Sequence, residues 1–303
     1  MSETEFRVLG PIEALRRGRR VPLAGPKRRT VLAALLLGRG RMVPVHRMVR
    51  LLWGDEPPAS AGTQVRKQIS ALRAEFGADR VQTWRDGYGL RTEPGELDLD
   101  RFDAAAGRGR ELLGAGRAEP AAEALRSAVD LWRGPALADG TDPLIRAEAD
   151  HLEELRLAAV ADRLRAELDL GRHAELVGEL TGLVRRYPLR EALRGQLMLA
   201  LHRSGRTADG LRVYREGRAE LAAQLALEPG RDLRRLHRAM LADDPALAAP
   251  SAPRVGTVPD GHGSRARPAA RHLQVLPQLC ELIVLSAGDP SLHRSIPRVK
   301  SAQ

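Results

Sequence analysis

Short apolar clusters open the chain and longer amphipathic stretches follow them. Phe6, Val8 and Leu9, then Ile12, Ala14 and Leu15, then Val21 and Leu23, are separated by Gly10-Pro11 and Gly18. Clusters of that length between turn residues predict a small antiparallel sheet over residues 5–24. Gly25-Pro26 ends it, with the proline where a first helical turn accepts one. Residues 28–37 are predicted as a first helix, with Val31, Leu32, Leu35 and Leu36 inside and Gly38 and Gly40 as the stop. Residues 45–53 are predicted as a second, with Val45, Met48, Val49, Leu52 and Trp53 on one side, ending at Gly54. A turn-rich loop follows, Asp55-Glu56-Pro57-Pro58-Ala59-Ser60. Residues 62–76 form the third: Val65, Ile69, Leu72 and Phe76 make one apolar stripe, and Thr63, Arg66, Lys67, Ser70 and Arg73 the opposite face. VQTWRDGYGLRT, residues 81–92, then reads as a hairpin turning at Asp86-Gly87. Sheet, three helices and hairpin is the order of a winged helix-turn-helix.

From about Leu97 the pattern is helical throughout, with candidate helices at 100–114, 118–132, 144–170, 173–186, 189–203, 207–226 and 229–242. Leu170-Gly171-Arg172 recurs 34 residues later as Ser204-Gly205-Arg206, with a weaker echo at Ala115-Gly116-Arg117. That period, with paired helices between, is tetratricopeptide spacing. The expected fold is mainly α with a small β component: a winged helix-turn-helix domain over 1–96, then an all-α tetratricopeptide-like domain over 97–247. Residues 244–272 have linker composition, and the apolar stretch 273–285 stands isolated, so 248–303 are expected to be a linker and disordered tail.

Composition sharpens this picture. Aromatics are 3% of the 303 residues, so cores must come from Leu, Ala and Val, which leans the chain towards helix. The net charge of +10 is unevenly placed: residues 1–96 carry 18 Lys and Arg against 10 Asp and Glu, whereas residues 97–250 carry 24 against 26. A coding bias towards arginine explains a high total but not a neutral middle. A basic module joined to a neutral one suggests a polyanion reader with a protein-contact domain.

A single cysteine, Cys280, excludes an internal disulfide and a cysteine zinc site, and MSETEFRVLG lacks the pattern of a signal peptide. The apolar runs are too short to span a bilayer, so a cytoplasmic location and no membrane partner are expected. There is no phosphate loop, since GAGRAEP at 114–120 lacks the lysine, and neither H-E-x-x-H nor G-x-S-x-G occurs. His151, His173, His202 and His237 fall on polar helix surfaces, and Glu153-Glu154 reads as a surface pair. No catalytic residue, metal or cofactor is expected, and the chain is read as a non-enzyme.

What remains is the third helix. The major groove of DNA admits one helix, whose Arg, Lys, Gln and Thr side chains can reach base edges and phosphates. Thr63, Gln64, Arg66, Lys67, Ser70 and Arg73 supply that set. An ordinary solvated charged face has the same period. Three features favour recognition: three cations without an acid, a preceding helix in helix-turn-helix order, and a following hairpin with Arg85, Tyr88 and Arg91. Lys27, Arg28 and Arg29 crowd the start of the first helix, against its dipole, and phosphate contact would offset that cost. The competing function is a tetratricopeptide-like scaffold whose basic N-terminal domain binds protein or RNA.

These residues resemble a known family. LGPIEA (9–14), PLAGPKRRTVLAALLL (22–37), LLWGDEPP (51–58), QVRKQISALRAEFG (64–77) and GYGL (87–90) resemble the DNA-binding domain of the Streptomyces antibiotic regulatory proteins. ELDLDRF (96–102), LWRGPALAD (131–139), LEELRLAA (152–159), GRHAELVGEL (171–180), PLREALRGQLMLALHRSGR (188–206) and LEPG (227–230) resemble that family's bacterial transcriptional activation domain. The resemblance implies an OmpR-type winged helix and activation of a secondary-metabolite (antibiotic) gene cluster. It implies double-stranded DNA with direct repeats as target and a homodimer on that DNA. It also implies recruitment of RNA polymerase through two of its parts, the sigma factor and the C-terminal domain of the alpha chain. It maps the reading helix to 63–73 and the wing to 85–88. It maps the polymerase-contact loop to 54–61, with Asp55, Glu56, Pro57 and Pro58.

Three departures stand out. Pro44 and His46 occupy the place of the usual Ser/Asp cap on the second helix, which predicts a weaker start. Gly210 and Gly217 replace alanine inside helices, at about 1 kcal/mol each, which predicts softer final helices. Residues 248–303 have no counterpart; large members carry an ATPase there, so nucleotide control is not expected.

Overall fold

A computed structural model describes residues 4–248. Strands β1 (Thr4–Arg7), β2 (Glu13–Arg16) and β3 (Arg19–Arg20) form an antiparallel sheet in that order. Helix α1 (Gly25–Leu37) follows, with residues 30–36 buried. A two-residue strand, β4 (Val43–Pro44), precedes α2 (Val45–Trp53) and α3 (Ala61–Phe76), and β5 (Val81–Trp84) and β6 (Gly87–Leu90) form the hairpin. β4 joins it, giving the order β4-β6-β5. This is the winged helix-turn-helix.

The hairpin turns one residue earlier than its local signal suggests. Trp84 pairs with Gly87, so Arg85 and Asp86 make the turn. Gly87 serves strand approach instead: a Cβ there would strike the Val43 carbonyl and lie 2.5 Å from Met42 Sδ. Gly89 likewise makes room for the Trp84 ring, whose Cζ3 would be 2.6 Å from an added Cβ. The start of α2, lacking a side-chain cap at Pro44, is held by the wing: the Val45 N–H donates to the Asp86 carbonyl at 3.0 Å.

The remainder is helical: α4 (Asp98–Gly114), α5 (Ala118–Val129), α6 (Asp142–Asp169), α7 (His173–Arg186), α8 (Glu191–Arg203), α9 (Thr207–Leu225) and α10 (Arg231–Leu241). The three Gly-Arg turns adopt one geometry. Gly116, Gly171 and Gly205 have φ of 70°, 79° and 74°. The next N–H reaches back five residues, Arg117 to Leu112, Arg172 to Glu167 and Arg206 to Leu201, at 2.9, 3.1 and 2.9 Å. Left-handed glycine with that bond is the Schellman stop, which satisfies a terminal helix carbonyl. The 34-residue recurrence is therefore a repeated helix-turn-helix.

One hydrophobic cluster runs from Phe6 to Ala159, and a second from Val160 to Met240. The first is shared between the winged helix and the helices after it. LWRGPALAD forms much of the junction. The Arg133 and Leu137 N–H groups donate to the Leu9 and Val8 carbonyls at 2.9 and 3.2 Å, and Asp139 Oδ1 accepts from the Ile12 N–H at 2.7 Å. Trp132 meets Phe102 edge-on with ring centres 5.5 Å apart.

His237 departs from the expected solvated surface. It stacks on Tyr214 at 3.9 Å, and burial pushes its pKa down. Among the described residues no helix is long and apolar enough to cross a membrane, and no His, Cys, Asp and Glu group could hold a metal. Cys280 and the stretch 273–285 lie outside the described residues.

Candidate nucleic-acid interface

At 100° per residue, α3 divides into a core face, an outward face and two flanks. Val65, Ile69, Leu72 and Phe76 are buried, and Thr63, Lys67, Ser70 and Ala74, diametrically opposite, are exposed. Arg66 and Arg73 form one flank. Gln64, Gln68 and Glu75 form the other.

The first flank carries the wing. Arg73 Nε and Nη2 donate to the Val81 carbonyl at 3.1 and 3.0 Å, Nη2 also bonds Thr83 Oγ1, and the guanidinium lies 5.9 Å from the Tyr88 ring centre. Arg73 is thus engaged in holding the hairpin, and Tyr88 is half-buried beneath it. Arg66 stays exposed, with only a 3.2 Å bond to Thr63 Oγ1. Arg85 stands exposed at the wing turn, beside Trp84, which is 39% exposed. Arg91 is exposed past the wing, 3.8 Å from Glu93.

The second flank carries cations from α1. Lys27 Nζ donates to Gln64 Oε1 at 3.1 Å and sits 4.8 Å above the Trp53 ring, and Arg28 Nε donates to Gln68 Oε1 at 3.4 Å. Arg29 does not join them. It pairs with Asp139 Oδ2 at 3.1 Å and donates to the Asp139 carbonyl at 3.0 Å, locking α1 to the junction. Asp55, Glu56, Pro57 and Pro58 are all exposed on the loop between α2 and α3.

Of the twelve candidate DNA-binding residues, the structure groups ten around α3: Thr63, Gln64, Arg66, Lys67, Ser70, Arg73, Lys27, Arg28, Arg85 and Tyr88. Sequence period alone missed Gln68, whose partner Arg28 comes from a separate helix. Replacing Arg73 by alanine should free the wing at a cost of about 1 kcal/mol globally. Hydrogen exchange should then be faster at Thr83 and Tyr88 than in α1.

Residues 97–241 match the model of the bacterial transcriptional activator domain. The chain is 38% identical over 255 residues to the regulatory protein DnrI of Streptomyces peucetius, covering 80% of this chain and 94% of that one. The chain belongs to the Streptomyces antibiotic regulatory protein family. This member is also 42% identical over 248 residues to the regulatory protein AfsR of Streptomyces coelicolor, covering 82% of its own length and 25% of AfsR. It therefore spans about a quarter of that larger relative. A solved structure of Mycobacterium tuberculosis EmbR in complex with a low-affinity phosphopeptide matches it with a TM-score of 0.77 at 33% identity, over 81% of this chain and 66% of that one.

Proposed function

We propose that this family member is a sequence-specific transcriptional activator of a secondary-metabolite gene cluster. Residues 1–96 read double-stranded DNA and residues 97–247 act as the activation domain. Two copies occupy direct repeats. The exposed Asp55-Glu56-Pro57-Pro58 loop and the helical domain engage RNA polymerase through its sigma factor and the C-terminal domain of its alpha chain. The observation that carries the reading is the solvent side of α3, where Thr63, Lys67 and Ser70 on the outward face and Arg66 on the adjoining flank stand exposed without a carboxylate. A helix offering that set to solvent, with a wing beside it, suits the major groove.

The test uses the full chain and a duplex selected by it from random sequence. Arg66→Ala should weaken binding by about 1–3 kcal/mol and relax the preference at one base position. Lys67→Ala should weaken selected and mixed-sequence duplexes more evenly if it meets phosphate. If the triple Arg66→Ala, Lys67→Ala, Arg73→Ala variant keeps full affinity, the reading helix is wrongly assigned. Retention of RNA but not of duplex DNA by the wild-type chain at low salt would move the reading to the scaffold alternative.

A further inference from the structure

Four arginines in five residues, Arg16-Arg17-Gly18-Arg19-Arg20, make the tip of the hairpin between β2 and β3. The DNA-reading face uses none of them. Together with Glu75 they border a cleft of about 720 Å³.

Their position is set by α3. The Arg16 guanidinium donates to the Glu75 carbonyl, in the last turn of that helix. Glu75 lies on the same flank as Gln64 and Gln68, the two side chains that Lys27 and Arg28 reach. Cations from α1 and from this hairpin therefore line one flank of α3, and Arg66 and the wing line the other. A major groove about 12 Å wide is bounded by two phosphate backbones, so a helix lying in it turns one flank to each.

The turn itself is unfavourable for an arginine. Arg17 has φ of 51° and Gly18 of 76°, and Arg16 pairs with Arg19, which defines a two-residue turn with positive φ at both centres. Asn-Gly suits that turn, and a long L side chain at its first centre is strained. Part of the hairpin's charge is met inside the chain, at Arg17 among others. Glu13 pairs with Arg20 at 2.7 Å, yet the Arg20 side chain remains 80% exposed. The Arg19 side chain is exposed and makes no hydrogen bond or ion pair with a described residue. A phosphate backbone would offset both the strain and the crowded charge.

We propose that the Arg16–Arg20 hairpin is a second phosphodiester contact, gripping the DNA strand on the flank of α3 away from the wing. This rests on the DNA-binding reading above. The experiment measures affinity of the full chain for a selected duplex and a mixed-sequence duplex of equal length, by anisotropy from 50 to 200 mM salt. The wild type is compared with Arg17→Asn and with the double variant Arg17→Asn, Arg19→Ala. Losing two phosphate contacts flattens the plot of log affinity against log salt by about 1.8, so the variant should lose about tenfold less affinity across that range. Both duplexes should weaken by the same factor at 50 mM salt. Arg17→Asn should show an unchanged or higher Tm, which separates loss of contact from loss of fold, and Arg17→Lys with Arg19→Lys should restore the slope.

An unchanged slope in a folded double variant overturns the hairpin contact while leaving the reading helix standing. So does weakening confined to the selected duplex. Salt-independent or absent binding by the wild type overturns the DNA reading itself, and the hairpin contact with it.

Discussion

Replacing Asp98 by alanine should cost about 3 kcal/mol of stability and loosen the winged helix from the helices that follow. The Asp98 side chain is buried at the start of α4. Its Oδ1 accepts from the Val8 N–H at 2.9 Å and its Oδ2 from the Leu9 N–H at 3.0 Å. These amides belong to the connection after β1, where the sheet provides no ladder partner. Removing the carboxylate strands two buried donors, each worth about 1–3 kcal/mol. Arg133, 3.7 Å away, keeps its 2.7 Å pair with Glu13 and is not orphaned. Asp98→Asn retains an acceptor oxygen and should lose only about 1 kcal/mol. Urea unfolding of the three proteins orders them wild type, asparagine, alanine. Equal midpoints would mean that the junction does not depend on this carboxylate.

The same residue sets a pH dependence. Burial raises the Asp98 carboxyl above its ordinary value, against the Leu9 and Val8 amides and Arg133. The folded state then holds that proton more tightly than the unfolded chain. Its contribution to stability falls as pH rises from the ordinary aspartate value through the folded one, and is constant above it. Asp98→Asn should remove that slope in acid unfolding curves.

The helices were legible because each must bury a stripe. Val65, Ile69, Leu72 and Phe76 recur at helical period and all lie in the core. The Gly-Arg turns were legible because a left-handed stop favours glycine whatever surrounds it. The wing register was not. Asp86-Gly87 is a local turn signal, but the contact that places Gly87 in a strand comes from Val43, in β4. Arg73 shows the same limit within the site. Period places it beside Arg66, and only the Val81 carbonyl in β5 decides that its guanidinium turns to the wing. LWRGPALAD was recognisable as a motif. Nothing near it in the chain indicates that its amides bond the loop after β1. The shared core from Phe6 to Ala159 is invisible for that reason, although charge does change near residue 97.

Gly217→Ala should destabilise the protein by about 2–3 kcal/mol, opposite in sign to helix propensity, which favours alanine by about 1 kcal/mol. The expected softness of the last helices does not follow from this glycine, because it makes room for a buried guanidinium. A Cβ at Gly217 would strike Arg194 Cδ and Nε and lie 2.7 Å from Cζ. Arg194 is 5% exposed, and burial pushes its pKa below the ordinary arginine value. It is held by donation from Nη1 to the Val213 carbonyl at 3.0 Å and from Nη2 to the Pro188 carbonyl at 2.9 Å. Displacing it breaks both bonds while the charge stays enclosed, the costly arrangement for a buried ion. Gly210 is a milder case, since the nearest atom to its added Cβ is Met240 Cε at 2.6 Å, the end of a buried but unbranched side chain, with the Met198 carbonyl at 3.1 Å. A double-mutant cycle with Arg194→Met isolates the cause. If the guanidinium is what the methyl meets, Gly217→Ala should cost little or even stabilise in the methionine background, where helix propensity is left to act alone. An equal loss in both backgrounds would place the clash on the backbone of α8 instead.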